Sequence, residues 1–310
     1  MNRVFVKFLD EIKEPKVSEL GGKGYSLAVL TSNGFNVPQG FIIVSEAFFE
    51  YVEQNNMMEK VQKLSSEINE NNFREKSREI KGLIFSGKIP REVVREVEVG
   101  LRKLNAKFVS VRSSAVSEDS LKASFAGLHD TFLNIKAETN SILENVKKCW
   151  ASLFNERAII YRIKKKILHL EGMAVIIQEM IPSEVSGVVF TTHPMNDKFL
   201  LIEASYGIGD MVVGGRVEPD GYVVDRETLK IVERKIGKKN MMTAIKGEEI
   251  KAINVKRELA ERQALSDEKI KEIAEISLRV EKIFDYPQDI EWCMKNDKVW
   301  LLQSRAITEV

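Results

Sequence analysis

Asp289-Ile290-Glu291-Trp292 and Leu302-Gln303-Ser304-Arg305, near the C-terminus, read as the two strands of one hairpin. With a side-chain period of two, Asp289 and Glu291 share a face, as do Gln303 and Arg305, while Ile290, Trp292 and Leu302 turn to the other. If Asn296-Asp297-Lys298 form a three-residue loop, Lys295 pairs with Val299, Glu291 falls opposite Gln303, and Asp289 opposite Arg305. A two-residue loop would set Glu291 beside Leu302 and scatter the polar groups over both faces. The pattern therefore predicts an odd register, or an even loop corrected by a bulge. Two acids, an amide and an arginine on one face are natural ligands for Mg²⁺ with bound phosphates. A salt-bridged, solvated sheet face is the commoner meaning of such alternation.

The rest of the chain supplies strands and helices in no strict βαβ order, which predicts an α+β fold. Short β-rich runs fall at 108–112, 130–135, 173–178 and 186–191, with a long helix over 139–166 among them. Leu200-Leu201-Ile202-Glu203 opens a third stretch, followed by Tyr222-Val223-Val224-Asp225, a turn at Arg226-Glu227, and a return strand from Leu229 to Arg234. Residues 237–262, rich in charge, read as a surface excursion. Ser266 caps a helix with Asp267 and Glu268 in its first turn; Ile270, Ile273, Ser277, Val280 and Phe284 mark its inner face. Towards the N-terminus, Gly21-Gly22-Lys23-Gly24 stands just before a helix from Tyr25 to Asn33 that Gly34 closes. The strand Phe41-Ile42-Ile43-Val44 and a helical pattern from Glu46 to Leu104 follow.

Of the 310 residues, 44% are hydrophobic and 30% charged, so the chain can bury a core and is not globally disordered. The 47 Lys and Arg nearly cancel the 46 Asp and Glu, which excludes a global polybasic footprint for nucleic acid or an anionic membrane. Only Cys149 and Cys293 occur, far apart, so neither a disulfide framework nor a zinc ligand set is present. A hard-cation site built on carboxylates stays open. The N-terminus lacks a signal-peptide pattern and the apolar runs are too short to span a bilayer, so the chain reads as soluble and cytoplasmic.

Three further segments could carry chemistry. Gly21-Gly22-Lys23-Gly24 offers close backbone approach, helix-start N–H groups and a point charge, yet it lacks Walker A spacing. By itself it reads as a glycine turn with a solvated lysine. In Ser110-Val111-Arg112-Ser113-Ser114-Ala115-Val116-Ser117, running on to Gly127, a strand delivers Arg112 to a loop of hydroxyls and small residues able to wrap phosphates. Most Ser-rich loops are merely polar; the arginine at the strand tilts this one towards function. Val175-Ile176-Ile177-Gln178-Glu179-Met180 is an apolar strand whose polar end could meet a purine edge, and most such runs are core. His129, His169 and His193 lack triad-like neighbours and read as structural or surface residues.

Taken in order, GGKGYSLAVLTSNGFNVPQGF (21–41), SVRSSAVSEDSLKASFAGLHDTFLNI (110–135), WASLFNERAIIYR (150–162), SGVVFTTHP (186–194), YGIGDMVVGGRVEPDGYVV (206–224) and the DIEW…LLQSRAIT hairpin resemble one known family. It is the N-terminal nucleotide-binding domain of phosphoenolpyruvate synthase and pyruvate phosphate dikinase. The resemblance implies an ATP-grasp variant with mixed antiparallel sheets, flanking helices and a nucleotide cleft between subdomains. Residues 1–310 would form one nucleotide-binding unit with approximate subdomains 1–107, 108–195 and 196–310.

The same resemblance implies roles at matching positions. Lys23 and Arg112 would hold the triphosphate, with Gly127 and Thr131 beside it. Gln178, Glu179 and Ile181 would lie in the adenine-contacting strand. Glu291 and Gln303 would bind Mg²⁺ and phosphate, Asp289 would support them, and Arg305 would neutralise the phosphate being transferred, making Lys23, Arg112 and Arg305 the catalytic set. ATP and Mg²⁺ are the implied cofactors, and a histidine in a separate protein, or in C-terminal domains missing here, is the implied acceptor. Nucleic acid and membrane are not implied partners. Pyruvate is the default final acceptor; phenol, rifamycin and glucan serve related systems, and a non-catalytic ATP-binding regulatory module is the rival reading.

Overall fold

The computed structural model describes residues 3–117, 130–165 and 170–307, with Lys165 as backbone only. Gly127, His129 and His169 lie outside the described residues. The chain divides into two compact units, Met1–Ser32 with Gln39–Met180, and Asn33–Pro38 with Ile181–Val310. The division at Met180 and Ile181 falls inside the stretch 108–195 that the sequence groups together.

The first unit contains β1 (Val6–Phe8), α1 (Val17–Ser32), β2 (Gly40–Ile43), α2 (Ser45–Gln54), α3 (Met58–Ser66), α4 (Phe73–Ser86) and α5 (Arg91–Leu104). It continues with β3 (Phe108–Ala115), β4 (Thr131–Lys136), α6 (Thr139–Ser152), α7 (Glu156–Lys165) and β5 (Met173–Glu179). Its strands form an antiparallel sheet in the order β1-β2-β5-β3-β4. One face carries Phe41, Ile43, Val109, Val111, Val175 and Ile177, which join Tyr51, Val97, Val146 and Trp150 from the helices in a single apolar core. On α5, Val93, Val97, Leu101 and Leu104 recur at helical spacing and are buried. Asn105 ends that helix in the left-handed conformation (φ 50°), its N–H bonding the Leu101 carbonyl. The expected long helix over 139–166 is two helices. Phe154 is buried at the break, and its carbonyl accepts a 2.6 Å hydrogen bond from the Ser77 hydroxyl on α4, satisfying a group the interrupted helix leaves open.

The second unit holds β6 (Val185–Phe190), β7 (Phe199–Tyr206), α8 (Asp210–Val213), β8 (Asp220–Asp225), β9 (Ile231–Lys235), β10 (Met241–Lys246) and β11 (Glu249–Asn254). It ends with α9 (Arg257–Ala260), α10 (Asp267–Phe284), β12 (Gln288–Lys295) and β13 (Lys298–Ala306). Six strands make one antiparallel sheet, β13-β12-β6-β7-β8-β9, and β10 and β11 pair separately. Ser266 caps α10 by accepting from the Lys269 N–H at 3.3 Å, as its sequence predicts. Ile290, Trp292, Val189, Ile202, Tyr222 and Val224 fill one sheet face, together with Ile270, Ile273 and Val280 of α10.

The charged stretch 237–262 is not wholly a surface excursion. It contains the β10–β11 hairpin, and Lys239 is fully buried. Its ammonium pairs with Asp220, whose other carboxylate oxygen accepts from Tyr222 Oη at 3.0 Å and the Ala264 N–H at 2.7 Å. A buried charge is tolerable only with such partners.

Candidate functional site

In the first unit, the sheet face opposite the apolar core carries Ser110, Arg112 and Ser114 on β3, with Gln178 and Ile176 facing them from β5. Arg112 is 7% exposed, and its Nη1 donates to Gln178 Oε1 at 3.4 Å, a long bond. Thr131 pairs directly with Arg112 across β3 and β4. The planar guanidinium on this polar face presents a fork of donors of the kind that receives phosphate or carboxylate oxygens. The Glu179 N–H is taken by the Gln39 carbonyl at 2.8 Å and that of Met180 by the Phe108 carbonyl at 3.1 Å. Ile181 belongs to the second unit, so the run from Gln178 to Ile181 is divided.

Gly21-Gly22-Lys23-Gly24 stands where two helical segments meet within α1, Gly21 at the kink and the next three residues opening the second segment, close to the helix start that the sequence predicts. Gly21 breaks the helical path with φ 69° and ψ 174°, and a Cβ there would stand 2.1 Å from the Ser114 carbonyl oxygen. The Ser114 hydroxyl occupies the gap, donating to the Leu20 carbonyl at 2.8 Å and accepting from the Gly24 N–H at 2.9 Å. Leu20 and Gly24 are the partners an unbroken α-helix would bond to each other. The motif is thus a docking device between α1 and β3, and Lys23 rides on the docked turn.

In the second unit, β12 and β13 are joined by the two-residue turn Asn296-Asp297, both at positive φ (49° and 62°), so that Lys295 pairs with Lys298. The register then shifts between Glu291 and Trp292, with Trp292 opposite Leu301 and Glu291 opposite Gln303. Leu302 is the extra residue, and this bulge is the correction an even loop requires. Leu301 rather than Leu302 therefore faces Trp292. Asp289 sits opposite Arg305, whose Nε and Nη2 reach the same Asp289 oxygen at 2.9 and 2.5 Å. Glu291, Gln303, Asp289 and Arg305 share the sheet face away from the apolar one.

Glu203 is a member of this face that the sequence reading left aside. Following the register inward, Glu291 pairs with Val188 and Val188 with Glu203. Burial raises the Glu203 carboxyl above its ordinary value, Asp289 raises it further, and Lys235 opposes both. Only the strand order β12-β6-β7 brings it near the hairpin acids, and that order is not written in local sequence. His193 caps a surface turn, its Nδ1 accepting from the Met195 N–H at 3.1 Å. Among the described residues, no helix is long and apolar enough to cross a membrane.

An α+β fold of antiparallel sheets with flanking helices, bearing a buried arginine on one polar face and an acid–amide–arginine hairpin on another, is that of an ATP-grasp-like nucleotide-binding domain. Residues 17–310 match the family described as pyruvate phosphate dikinase, AMP/ATP-binding domain, and the chain belongs to that family. It is 36% identical to a probable phosphoenolpyruvate synthase of Methanocaldococcus jannaschii, over 98% of this chain and 27% of the relative. A second probable phosphoenolpyruvate synthase, from Methanothermobacter thermautotrophicus, is 37% identical over 98% of this chain and 46% of the relative. An uncharacterized phosphotransferase of Bacillus subtilis, YvkC, is 37% identical over 94% of this chain and 33% of that protein. The chain thus spans less than half the length of these relatives.

Proposed function

We propose that residues 1–310 act as one nucleotide-binding unit that holds MgATP, from which one phosphoryl group passes to a histidine on another domain or polypeptide and a second to water, leaving AMP and inorganic phosphate. Pyruvate is the default final acceptor, in keeping with the names of the archaeal relatives. The observation that carries this reading is the β12–β13 register, which sets Glu291 opposite Gln303 and Asp289 opposite Arg305. Glu291 and Gln303 offer hard oxygen donors from facing positions, the set that suits Mg²⁺. Among the described residues no group of three or more His, Cys, Asp or Glu could close a metal shell by itself. A magnesium ion here would complete its shell from water and the nucleotide's phosphates, and when bound it supplies neutralisation of phosphoryl charge.

The chain's own residues divide the remaining work. Lys23 and Arg112 hold the triphosphate oxygens, with Thr131 and Gly127 beside them. Gln178, Glu179 and Ile181 meet the adenine. Arg305 presents its guanidinium to the phosphoryl group in transfer, and Asp289 fixes that guanidinium through the two bonds to one oxygen. Phosphoryl transfer needs little more than such positioning and charge neutralisation.

Phosphorus NMR of ATP incubated with Mg²⁺ and the chain tests the reading. Alone, the chain should leave ATP intact and its own histidines unlabelled. Adding the part of the Methanothermobacter relative that lies outside the matched region, with pyruvate, should yield AMP and inorganic phosphate. Accumulation of ADP would sink the dikinase assignment.

A further inference from the structure

The two cations proposed to grip the triphosphate in the first unit stand on different elements, Lys23 on α1 and Arg112 on β3. Two like charges repel, and before an anion arrives nothing in their own electrostatics keeps them together. The structure places a third residue between their supports. Ser114 is fully buried, and its hydroxyl is inserted into α1 in place of the Leu20–Gly24 helical bond, one oxygen serving both orphaned groups at 2.8 and 2.9 Å. Lys23 lies inside the turn spanned by that bridge. Arg112 lies two residues before Ser114 on the same face of the same strand.

The contact around the bridge admits little adjustment. Besides the approach of Gly21 to the Ser114 carbonyl, a Cβ on Gly24 would meet Ile42 Cδ1 at 2.9 Å and Leu20 Cβ at 3.3 Å. The helix is seated backbone-first on the sheet, and sliding it along β3 would strip two buried polar groups of their partner. A serine hydroxyl both donates and accepts, which is what a lost N–H···O=C pair requires. Alanine could serve neither group.

We infer that Ser114 is a positioning residue for nucleotide binding: its hydroxyl locks the Lys23 turn of α1 onto β3 and so sets the spacing of Lys23 and Arg112 for one polyphosphate. The inference rests on the proposed role of Lys23 and Arg112 as triphosphate ligands. It assigns Ser114 no contact with the nucleotide. Its effect passes through Lys23.

A double-mutant cycle on the full 310-residue chain tests this, with the non-hydrolysable analogue AMP-PNP and Mg²⁺ as the calorimetric ligand and adenosine as the control. Ser114→Ala should weaken AMP-PNP about tenfold, as expected for unpairing a buried polar group, and leave adenosine unchanged. Lys23→Ala should weaken AMP-PNP by itself, and adding Ser114→Ala to Lys23→Ala should then cost nothing further. A merely structural serine would give the same loss in both backgrounds, or weaken adenosine equally, and either result overturns the inference. If Ser114→Ala does not fold, Ser114→Cys keeps the shape with a weaker donor, and an intermediate loss that vanishes in the Lys23→Ala background is expected. No loss with that variant contradicts the inference. Should Lys23→Ala leave AMP-PNP affinity untouched, the triphosphate role of Lys23 fails first, and the positioning role falls with it. Loss with Lys23→Ala but none with Ser114→Ala refutes the positioning role alone.

Discussion

The polar face of the first unit and that of the second are built by opposite means. The face bearing Arg112 is cationic and is mounted by contacts that leap along the chain: the Ser114 hydroxyl reaches Gly24 and Leu20, 90 and 94 residues away. The face bearing Glu291 is acidic with its own arginine, and apart from Glu203 its members are hairpin neighbours, Arg305 reaching Asp289 across 16 residues. A face assembled locally is set by turn type and bulge. One assembled at long range is set by how closely two backbones can approach. The first kind should tolerate substitution at its supports far better than the second.

Gly21→Ala should expose the largest difference. Its Cβ would strike the Ser114 backbone while the residue holds φ 69°, whereas Gly34 has a similar φ of 77° and no atom within 4 Å of the same position. Gly34→Ala should cost about 1 kcal/mol for the backbone conformation alone, and Gly21→Ala about 3 kcal/mol or more, read from urea unfolding midpoints. Equal costs would mean that α1 is not seated on β3 as described.

Glu203 gives a pH-dependent contrast within the acidic face. Its folded carboxyl titrates above the ordinary value of 4.5, so the protonated form favours folding, and that benefit is lost as pH rises through the raised value. At pH 7 the ionised group is a net cost. Without cation or nucleotide, Glu203→Gln should raise the melting temperature at pH 7 by about 2 °C, and the gain should shrink towards nothing near pH 4. A gain that grows on acidification would reverse the sign of the argument.

The smallest effect lies at the hairpin turn. Asn296 and Asp297 both hold positive φ, the conformation in which Asn-Gly is favoured. Asp297→Gly removes strain but also the 3.0 Å ion pair with Lys269, in which the Asp297 side chain is exposed and the pair therefore of little worth. A net stabilisation of about 0.5 kcal/mol is expected, with MgATP affinity unchanged. Destabilisation would show that the ion pair, not the turn geometry, holds the end of the hairpin.

The same division explains what could be read from the sequence. The terminal hairpin, the Ser266 cap and the α+β character were legible because each rests on periodicity or on residues a few positions apart. The alternation of Asp289, Glu291, Gln303 and Arg305 demanded that Glu291 face Gln303, although it could not say whether an odd loop or a bulge would meet the demand. The helical turn that precedes Gly21 and its docking went unread because the partner that bridges the kink, Ser114, is remote. Lys239 looked like a surface lysine because nothing nearby announces Asp220. Glu203 joined the acidic face only through the strand order. Met241 to Lys246 carries no clean alternation, so β10 went unread.

The most direct measurement is calorimetric titration of ATP into the chain, with and without Mg²⁺, for the wild type, Lys23→Ala and Glu291→Ala. If Lys23 and Glu291 serve one nucleotide by different chemistry, Lys23→Ala weakens ATP under both conditions, by about tenfold or more. Glu291→Ala should abolish only the part of the affinity that magnesium adds, leaving metal-free binding at the wild-type level. ATP affinity independent of Mg²⁺ in the wild type, or unchanged MgATP affinity in Glu291→Ala, would contradict the shared magnesium site.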